Sequence, residues 1–294
     1  MEGISALKQM YIKSPINYTG NKYKLLEQVV PLFPKGMRTF VDVFGGSGTV
    51  CLNADATRLV YNEYAEYVYD MFKGFVETKY DEIIERIDQT IKGYGLTKTN
   101  EEGYIRLRND YNEGRKDWVT LYVLCCYAFN SQGRFGINGK FNMPFGKNRS
   151  CFSDVQRDNI SKMKDRISGK RVLCTNLSFD AIDYSAFGKG DFVYFDPPYL
   201  GSVAVYNEKN GWTEKQERTL VSIIDALDAR GVWFGLSNNL KYGNPMLEDL
   251  CERYTVHHLG SKYNNSSYHK IDKVAADDEV FVTNYKSSLD KKLF

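Results

Sequence analysis

Short apolar segments that alternate with helical stretches constrain the fold of this chain more than any other feature. Segments of β-type composition occupy residues 39–44, 58–61, 171–175, 191–195, 232–236 and 279–285. Helical spacing of apolar residues is found at 66–91, 101–113, 116–129, 153–167 and 213–229. Strands that alternate with helices favour one parallel or mixed α/β sheet. With 43% hydrophobic and 26% charged residues, the 294-residue chain has a globular composition that excludes a disordered protein.

The stretch from about 64 to 170 lacks strong strands and interrupts the α/β pattern. We therefore expect an inserted, mainly helical domain at 64–170, while residues 1–63 and 171–294 form the domain that contains the sheet. Within the insertion, residues 130–150 are rich in glycine and asparagine and include four basic residues and no acidic one. This composition indicates a positively charged loop or hairpin.

Several classes of protein and site are not predicted. No apolar run approaches the ~20 residues of a membrane helix, and the first residues lack the apolar segment of a signal peptide. The six cysteines form no CxxC pair, which favours reduced thiols in a cytoplasmic protein. His257, His258 and His269 share one window without a Cys or carboxylate at ligand spacing, so no metal site is expected.

A glycine-rich turn after the segment at 39–44 is the first candidate ligand site. Gly45, Gly46 and Gly48 stand where a strand would turn into a helix, and glycine lets a ligand approach the backbone closely. Glu63 follows the next strand, about 20 positions beyond Asp42, as is typical of a carboxylate that binds ribose hydroxyls. The turn is neither GxGxxG nor a P-loop, and a tight turn that binds nothing remains the alternative.

The second candidate site is Asp196-Pro197-Pro198-Tyr199, which directly follows the apolar segment at 191–195. Two consecutive prolines fix the backbone and remove two N–H donors. The Asp196 carboxylate and the Pro197 carbonyl are therefore acceptors beside the Tyr199 ring. Such a rim suits an exocyclic amine, whose two N–H groups need acceptors while its heterocycle stacks on an aromatic ring. A proline-rich loop without chemistry is the alternative.

Four segments, in this order, resemble the Dam-type (D12 class) DNA adenine N6-methyltransferases of bacteria and their phages. They are YTGNK at 18–22, FVDVFGGSG at 40–48 followed by Asn62-Glu63, RFGINGKFNMPFGK at 134–147, and GDFVYFDPPYL at 190–200. The resemblance implies a Rossmann-like methyltransferase sheet with an inserted DNA-recognition domain whose hairpin covers about 130–150. It also implies methyl transfer from S-adenosyl-L-methionine to N6 of an adenine that is flipped out of a short duplex motif, GATC being the motif expected first.

The resemblance assigns roles to individual residues. Catalysis is expected from Asp196, Pro197 and Tyr199. The cofactor is expected to contact Tyr18, Lys22, Asp42, Phe44, Gly45, Ser47, Gly48, Glu63 and Asp196, although family members often carry Asp in place of Glu63. Double-stranded DNA is expected to contact Lys22, Asn130, Gln132, Arg134, Lys140, Pro144 and Lys147, while Phe129 or Phe135 wedges into the base stack or anchors the loop. Asn130, Gln132 and Gly136 depart from the residues of GATC-specific members.

Two other functions are compatible with these motifs. A related rim serves amino-methyltransferases that act on RNA or on a protein glutamine, and a non-catalytic DNA-binding relative could keep the fold. Asp at the first position of the rim favours DNA, and the intact glycine turn favours an active enzyme. No obligate protein partner is evident, and a cognate restriction nuclease is the partner to be considered.

Overall fold

The computed structural model describes residues 11–201, 211–260 and 278–287. Within these ranges one seven-stranded sheet has the order β3-β2-β1-β4-β5-β7-β6. The strands are β1 (Thr39–Asp42), β2 (Arg58–Asn62), β3 (Arg171–Thr175), β4 (Asp191–Phe195), β5 (Trp233–Asn239), β6 (Thr255–Leu259) and β7 (Glu279–Thr283). Strands β1 to β5 pair in parallel, and β7 is antiparallel to both of its neighbours. This mixed α/β architecture is consistent with the expected methyltransferase fold.

Nine α-helices accompany the sheet within the described ranges. They are α1 (Leu26–Val29), α2 (Thr49–Asn53), α3 (Glu66–Glu77), α4 (Tyr80–Tyr94), α5 (Glu101–Asn112), α6 (Trp118–Tyr127), α7 (Asp154–Ile167), α8 (Glu214–Ala229) and α9 (Pro245–Arg253). Helices α3 to α7 all lie between β2 and β3 in the chain. None of the helices in the described part of the chain is long and apolar enough to cross a membrane.

The six predicted strands are present, but three elements were missed and one predicted helix was wrong. The stretch 66–91 forms two helices because the backbone is extended at Thr78 and Lys79. The ammonium of Lys164 stabilises this break by donating to the backbone carbonyls of Phe75, Val76 and Thr78. Helices α1 and α9 and strand β6 were not predicted, because each is short and only partly buried.

Side chains of the central strands alternate between two faces of the sheet, as the two-residue period of a strand requires. One face packs against the helices that follow β1 and β2 and includes Phe40, Tyr61, Phe192, Tyr194 and Phe281. The other face packs against α8 and α9 and includes Val41, Val60, Val193, Phe195 and Val280. The central strands are therefore buried on both faces, which leaves their carboxyl ends as the place where ligands can approach.

The basic segment at 130–150 folds back on itself without forming continuous strands. Two isolated antiparallel bridges join Ala128 to Phe145 and Phe135 to Phe141. The side chain of Asn112 on α5 both donates to the carbonyl of Phe141 (3.0 Å) and accepts from its N–H (2.8 Å). Helix α5 therefore fixes the base of this turn.

The direction of the connections reverses between β1 and β4. From β1 the chain moves outwards through β2 to β3 and then returns to β4 on the other side of β1. Such a switch point leaves a crevice at the carboxyl ends of the two strands, where open α/β sheets bind their ligands. The glycine turn after β1 and the Asp196–Tyr199 rim after β4 therefore flank the same crevice.

Candidate active site

A cavity of about 710 Å³ opens at this crevice. It brings together most of the residues predicted for the cofactor and for catalysis, namely Tyr18, Lys22, Asp42, Phe44, Gly45, Ser47, Glu63, Asp196, Pro197 and Tyr199. Gly48 instead lies against the core: its φ is +75°, and an added Cβ would stand 2.0 Å from Cε2 of Phe72. Gly48 is therefore needed for the tight turn and does not line the cavity. The other residues surround a space large enough for a ligand.

Lys22 connects the YTGNK segment to the rim after β4. Its Nζ lies 2.8 Å from Oδ1 of Asp196 and donates to the phenol oxygen of Tyr199 at 3.1 Å. The ammonium also lies 5.4 Å from the centre of the Tyr199 ring. Two segments that are distant in sequence therefore meet through one buried cation.

The charges of this pair influence each other. Burial alone lowers the pKa of Lys22, but attraction by Asp196 and Glu279 outweighs it and the pKa lies above its ordinary value. Burial raises the pKa of Asp196, and the adjacent Lys22 ammonium opposes that rise. Lys22 therefore helps to keep the Asp196 carboxylate ionised.

Asp42 ends β1 and is 1% exposed at the floor of the cavity. Neither of its carboxylate oxygens has a hydrogen-bond partner of good geometry among the described residues. Burial raises the pKa of Asp42 well above its ordinary value, and the charges of Asp196 and Glu63 add to this effect, while the nearby backbone N–H of Cys51 opposes it in part. An unsatisfied carboxylate in a cavity costs folding free energy and is suited to a cationic ligand.

Glu63 follows β2 and binds the glycine turn. Its Oε2 accepts from the N–H of Gly46 at 2.7 Å, and its Oε1 accepts from the N–H of Ala65 at 2.8 Å. Each carboxylate oxygen has a second lone-pair site, so these contacts leave acceptor capacity for a ligand hydroxyl. Gly45 is required here by packing, because an added Cβ would stand 2.3 Å from the Tyr61 ring.

Three aromatic side chains form one wall of the cavity. The centre of the Trp212 ring lies 5.7 Å from the ring centre of Phe44 and 5.1 Å from that of Phe179. The ring centres of the two phenylalanines are 5.6 Å apart. The Trp212 indole donates to the fully buried carboxylate of Glu217, which also accepts from the amide of Asn244. Phe179 and Trp212 were not predicted, because they flank the strands at positions that carry no motif.

Glu279, the first residue of β7, was also missed. It accepts a hydrogen bond from the Tyr199 phenol, with 3.1 Å to Oε2 and 3.4 Å to Oε1. The apolar segment at 279–285 predicted a strand but not its direction. Only the antiparallel pairing of β7 with β5 brings this carboxylate to the rim.

Except for Lys22, which lies in the rim beside Asp196, the residues predicted to bind DNA lie on the basic segment. Asn130, Gln132 and Arg134 line a second cavity of about 520 Å³ next to residues 13–19. Asn17 donates to the carbonyl of Asn130 at 2.8 Å, which joins the segment to the loop that precedes Lys22. Lys140, Pro144 and Lys147 are exposed on the surface.

Within this segment the exposed and the anchored apolar residues can be told apart. Phe135 packs against Tyr67 at 4.8 Å and Phe141 at 5.6 Å, so it anchors the turn. Phe129 is 44% exposed and Ile137, at the tip, is 92% exposed. Arg134 is held by Asn142, which accepts from its Nε at 2.8 Å. Ile137 was not among the predicted residues.

A model of the D12 class N6 adenine-specific DNA methyltransferases matches residues 18–265. The chain belongs to this family. Its match covers the glycine turn, the basic segment and the Asp196–Tyr199 rim, so the resemblance stated from four short motifs is confirmed.

Individual relatives support the family assignment. The type II methyltransferase M.FokI of Planomicrobium okeanokoites is 39% identical over 282 residues, which are 94% of this chain and 43% of that protein. The modification methylase StsI of Streptococcus sanguinis is 36% identical, over 97% of this chain and 44% of that protein. A DNA adenine methylase of Escherichia coli (strain K12) is 25% identical, over 76% of this chain and 80% of that protein. The chain thus spans less than half the length of the first two relatives.

The D12 family implies S-adenosyl-L-methionine, and the cavity residues fit this group. Its methionine part ends in an ammonium, for which the unsatisfied carboxylate of Asp42 is a suitable partner. Its ribose hydroxyls need acceptors, and Glu63 keeps acceptor capacity beside the turn. Its adenine needs an apolar wall of the kind that Phe44, Phe179 and Trp212 form.

Proposed function

We propose that this chain is a site-specific DNA methyltransferase that transfers the methyl group of S-adenosyl-L-methionine to N6 of adenine in a short duplex motif. The observation that supports this most strongly is the shared cavity: the glycine turn after β1 and the Asp196–Tyr199 rim after β4 open into it together. The family match and the names of the relatives, which include DNA adenine methylases, point to the same substrate.

In this proposal the chain binds the cofactor by complementary polar groups. Asp42 accepts from the ammonium, Glu63 accepts from a ribose hydroxyl, and Tyr18, Phe44 and Ser47 line the remaining surface. When bound, the cofactor supplies a methyl group that is made electrophilic by the adjacent sulfonium. The glycine turn brings the backbone close to the bound cofactor.

The target amine is a poor nucleophile, because its lone pair is delocalised into the adenine ring. Asp196 and the Pro197 carbonyl accept the two N–H groups and orient the lone pair, while the Tyr199 ring stacks on the base. Catalysis then comes mainly from positioning. None of the cysteines is needed as a nucleophile, and burial raises the pKa of the Cys51 thiol well above its ordinary value.

A base inside a duplex cannot reach this rim, so the adenine must be flipped out at a cost of a few kcal/mol. We propose that residues 64–170 are the DNA-recognition domain and that 130–150 enter the duplex. Lys140 and Lys147 are exposed and suited to phosphates, and Asn130, Gln132, Arg134 and Pro144 to bases. Lys22 is buried beside Asp196, so it would meet the DNA at the flipped nucleotide. The exposed Ile137 at the tip is suited to wedge between base pairs, as apolar side chains of DNA-bending proteins do.

GATC is the first motif to examine, and we propose a cellular role in modification opposite a cognate restriction nuclease. This role is suggested by the names of M.FokI and StsI, a type II methyltransferase and a modification methylase. A cytoplasmic location in a bacterial cell would follow from that role.

The test compares substrate classes directly. Purified protein is incubated with isotope-labelled S-adenosyl-L-methionine and with unmethylated duplex DNA, total RNA or a protein extract. We expect label in duplex DNA, recovered as N6-methyladenine, and none when Asp196 is replaced by Ala. Label in RNA or protein instead would contradict the proposal. Circular dichroism and thermal unfolding of the Asp196→Ala protein serve as the folding control.

A further inference from the structure

The antiparallel strand β7 brings a carboxylate to the rim from outside the known motifs. Strands β1, β4 and β5 run in one direction and β7 runs in the opposite one, so β7 begins at the sheet edge where the other three strands end. Its first residue, Glu279, pairs with Asn239 at the end of β5 and with Leu259 at the end of β6. The position of Glu279 is therefore fixed by backbone pairing on both sides.

Four polar side chains form a continuous series of contacts across the rim. The Tyr199 phenol donates to Glu279 Oε2 at 3.1 Å and accepts from Lys22 Nζ at 3.1 Å. The same ammonium lies 2.8 Å from Asp196 Oδ1. Negative and positive groups thus alternate, with the phenol between Glu279 and Lys22, and each donor faces an acceptor.

These contacts explain how the side chain of Tyr199 is held in position. The two prolines fix the backbone before Tyr199 but leave its side-chain torsions free. A ring that stacks on a flipped base must stand at a defined place, and rotation about the Cα–Cβ bond of Tyr199 would displace both the ring and the phenol oxygen that Lys22 contacts. An acceptor on a rigid strand holds that oxygen in place and so restricts this movement, as a supporting hydrogen bond does in other preorganised sites.

We propose that Glu279 is a positioning residue of methyl transfer: by accepting the Tyr199 phenol it fixes the stacking ring and the Lys22 ammonium beside Asp196. The inference rests on the proposed function, because it supposes that Tyr199 stacks on the target base. Glu279 contacts neither the cofactor nor the reacting amine in this account. It acts through Tyr199.

The experiment measures methyl transfer to unmethylated plasmid DNA by Glu279→Ala, Glu279→Gln, Tyr199→Phe and the double variant Tyr199→Phe/Glu279→Ala. For Glu279→Ala we expect kcat to fall about 10- to 100-fold, with the KM for S-adenosyl-L-methionine unchanged. Glu279→Gln keeps an oxygen that accepts the phenol, so it should retain most of the activity. Glu248→Ala, an exposed glutamate on α9, is the matched control and should match the wild type.

The double variant separates positioning from a general structural role. Because Tyr199→Phe already removes the phenol, the added Glu279→Ala change should cost less than about 2-fold in that background. An equal loss in both backgrounds, or a Gln variant as impaired as the Ala variant, would overturn the proposal. If Glu279→Ala does not fold, Glu279→Met, which keeps the length of the side chain but removes the acceptor, replaces it alone and in the Tyr199→Phe background, with the same expected losses.

The activity of the wild-type protein separates a failure of the proposed function from a failure of the role proposed for Glu279. A wild type that does not methylate DNA would contradict the proposed function and leave no rate to compare. An active wild type with an unimpaired Glu279→Ala variant would contradict only the positioning role.

Discussion

Lys22 Nζ and Asp196 Oδ1 are 2.8 Å apart, and their side chains are only 9% and 16% exposed. Removing one member of such a buried pair leaves the other charge uncompensated, which costs roughly 3–5 kcal/mol when burial is complete. One Asp196 oxygen is thereby occupied by Lys22, and the other remains for the substrate amine. The pair thus links the stability of the rim to its chemistry.

The pH dependence of Lys22→Met follows from this pair. Burial raises the pKa of Asp196 and Lys22 lowers it, so loss of the ammonium should raise this pKa further. Because the ionised carboxylate is the acceptor, the acid limb of the rate profile should move to higher pH. Rates of methyl transfer across the pH range test this, and a limb that stays in place or moves to lower pH would contradict it.

Asp42→Asn should stabilise the cofactor-free protein and weaken cofactor binding. The pKa of Asp42 lies well above its ordinary value of 3.8, so the folded state binds this proton more tightly than the unfolded chain. The free energy of unfolding therefore decreases as pH rises between the two pKa values. We expect the free energy of unfolding of Asp42→Asn to exceed that of the wild type by about 0.5–2 kcal/mol at neutral pH. This difference should become smaller as the pH is lowered.

Urea unfolding at neutral and mildly acidic pH measures this difference, and calorimetry measures cofactor affinity. A variant that is less stable than the wild type at neutral pH would contradict an unsatisfied, costly carboxylate at position 42.

Two glycine-to-alanine changes should have opposite effects on the free energy of unfolding. Gly48 has φ +75° and no room for a Cβ beside Phe72, so Gly48→Ala should destabilise the protein by more than about 2 kcal/mol. Gly93 lies within α4 with nothing within 4 Å of an added Cβ, so Gly93→Ala should stabilise it by about 0.5–1 kcal/mol. Thermal unfolding of both variants tests the packing of the turn, and a neutral Gly48→Ala would refute it.

Lys140→Ala should weaken DNA binding in a salt-dependent manner. If Lys140 neutralises one phosphate, its removal should reduce the slope of log affinity against log salt by about 0.9, with similar losses on all sequences. Lys215→Ala, an exposed lysine on α8, is the control and should keep the wild-type slope. An unchanged slope for Lys140→Ala would place this lysine away from the duplex.

Much of this arrangement could be predicted from local sequence. The apolar strands before Gly45 and Asp196 identified two sheet edges, and glycine and proline chemistry marked both as ligand sites. Glu279 could not be found in this way, because its place at the rim depends on the direction of β7. Trp212 and Phe179 were missed for a related reason: they meet only after two separate connecting segments, one after β3 and one before α8, have folded over the sheet.

The basic segment could likewise be predicted only in part. Its charge was evident in the sequence, but an aromatic residue in a loop can point outwards or inwards. Packing of Phe135 against Tyr67 turned it inwards and left Ile137 exposed at the tip. Neither outcome follows from composition, because both depend on contacts with helices that are distant in the chain.

Mapping of modified bases on plasmid DNA, from cells that express either the wild type or Asp196→Ala, tests whether this chain methylates adenine in DNA. We expect N6-methyladenine at one short motif with the wild type and none with the variant. Such a result would identify the reaction, the target sequence and the need for Asp196 together. Absence of modified adenine, with wild-type protein that is folded and binds S-adenosyl-L-methionine, would contradict the account and favour RNA or protein as the substrate.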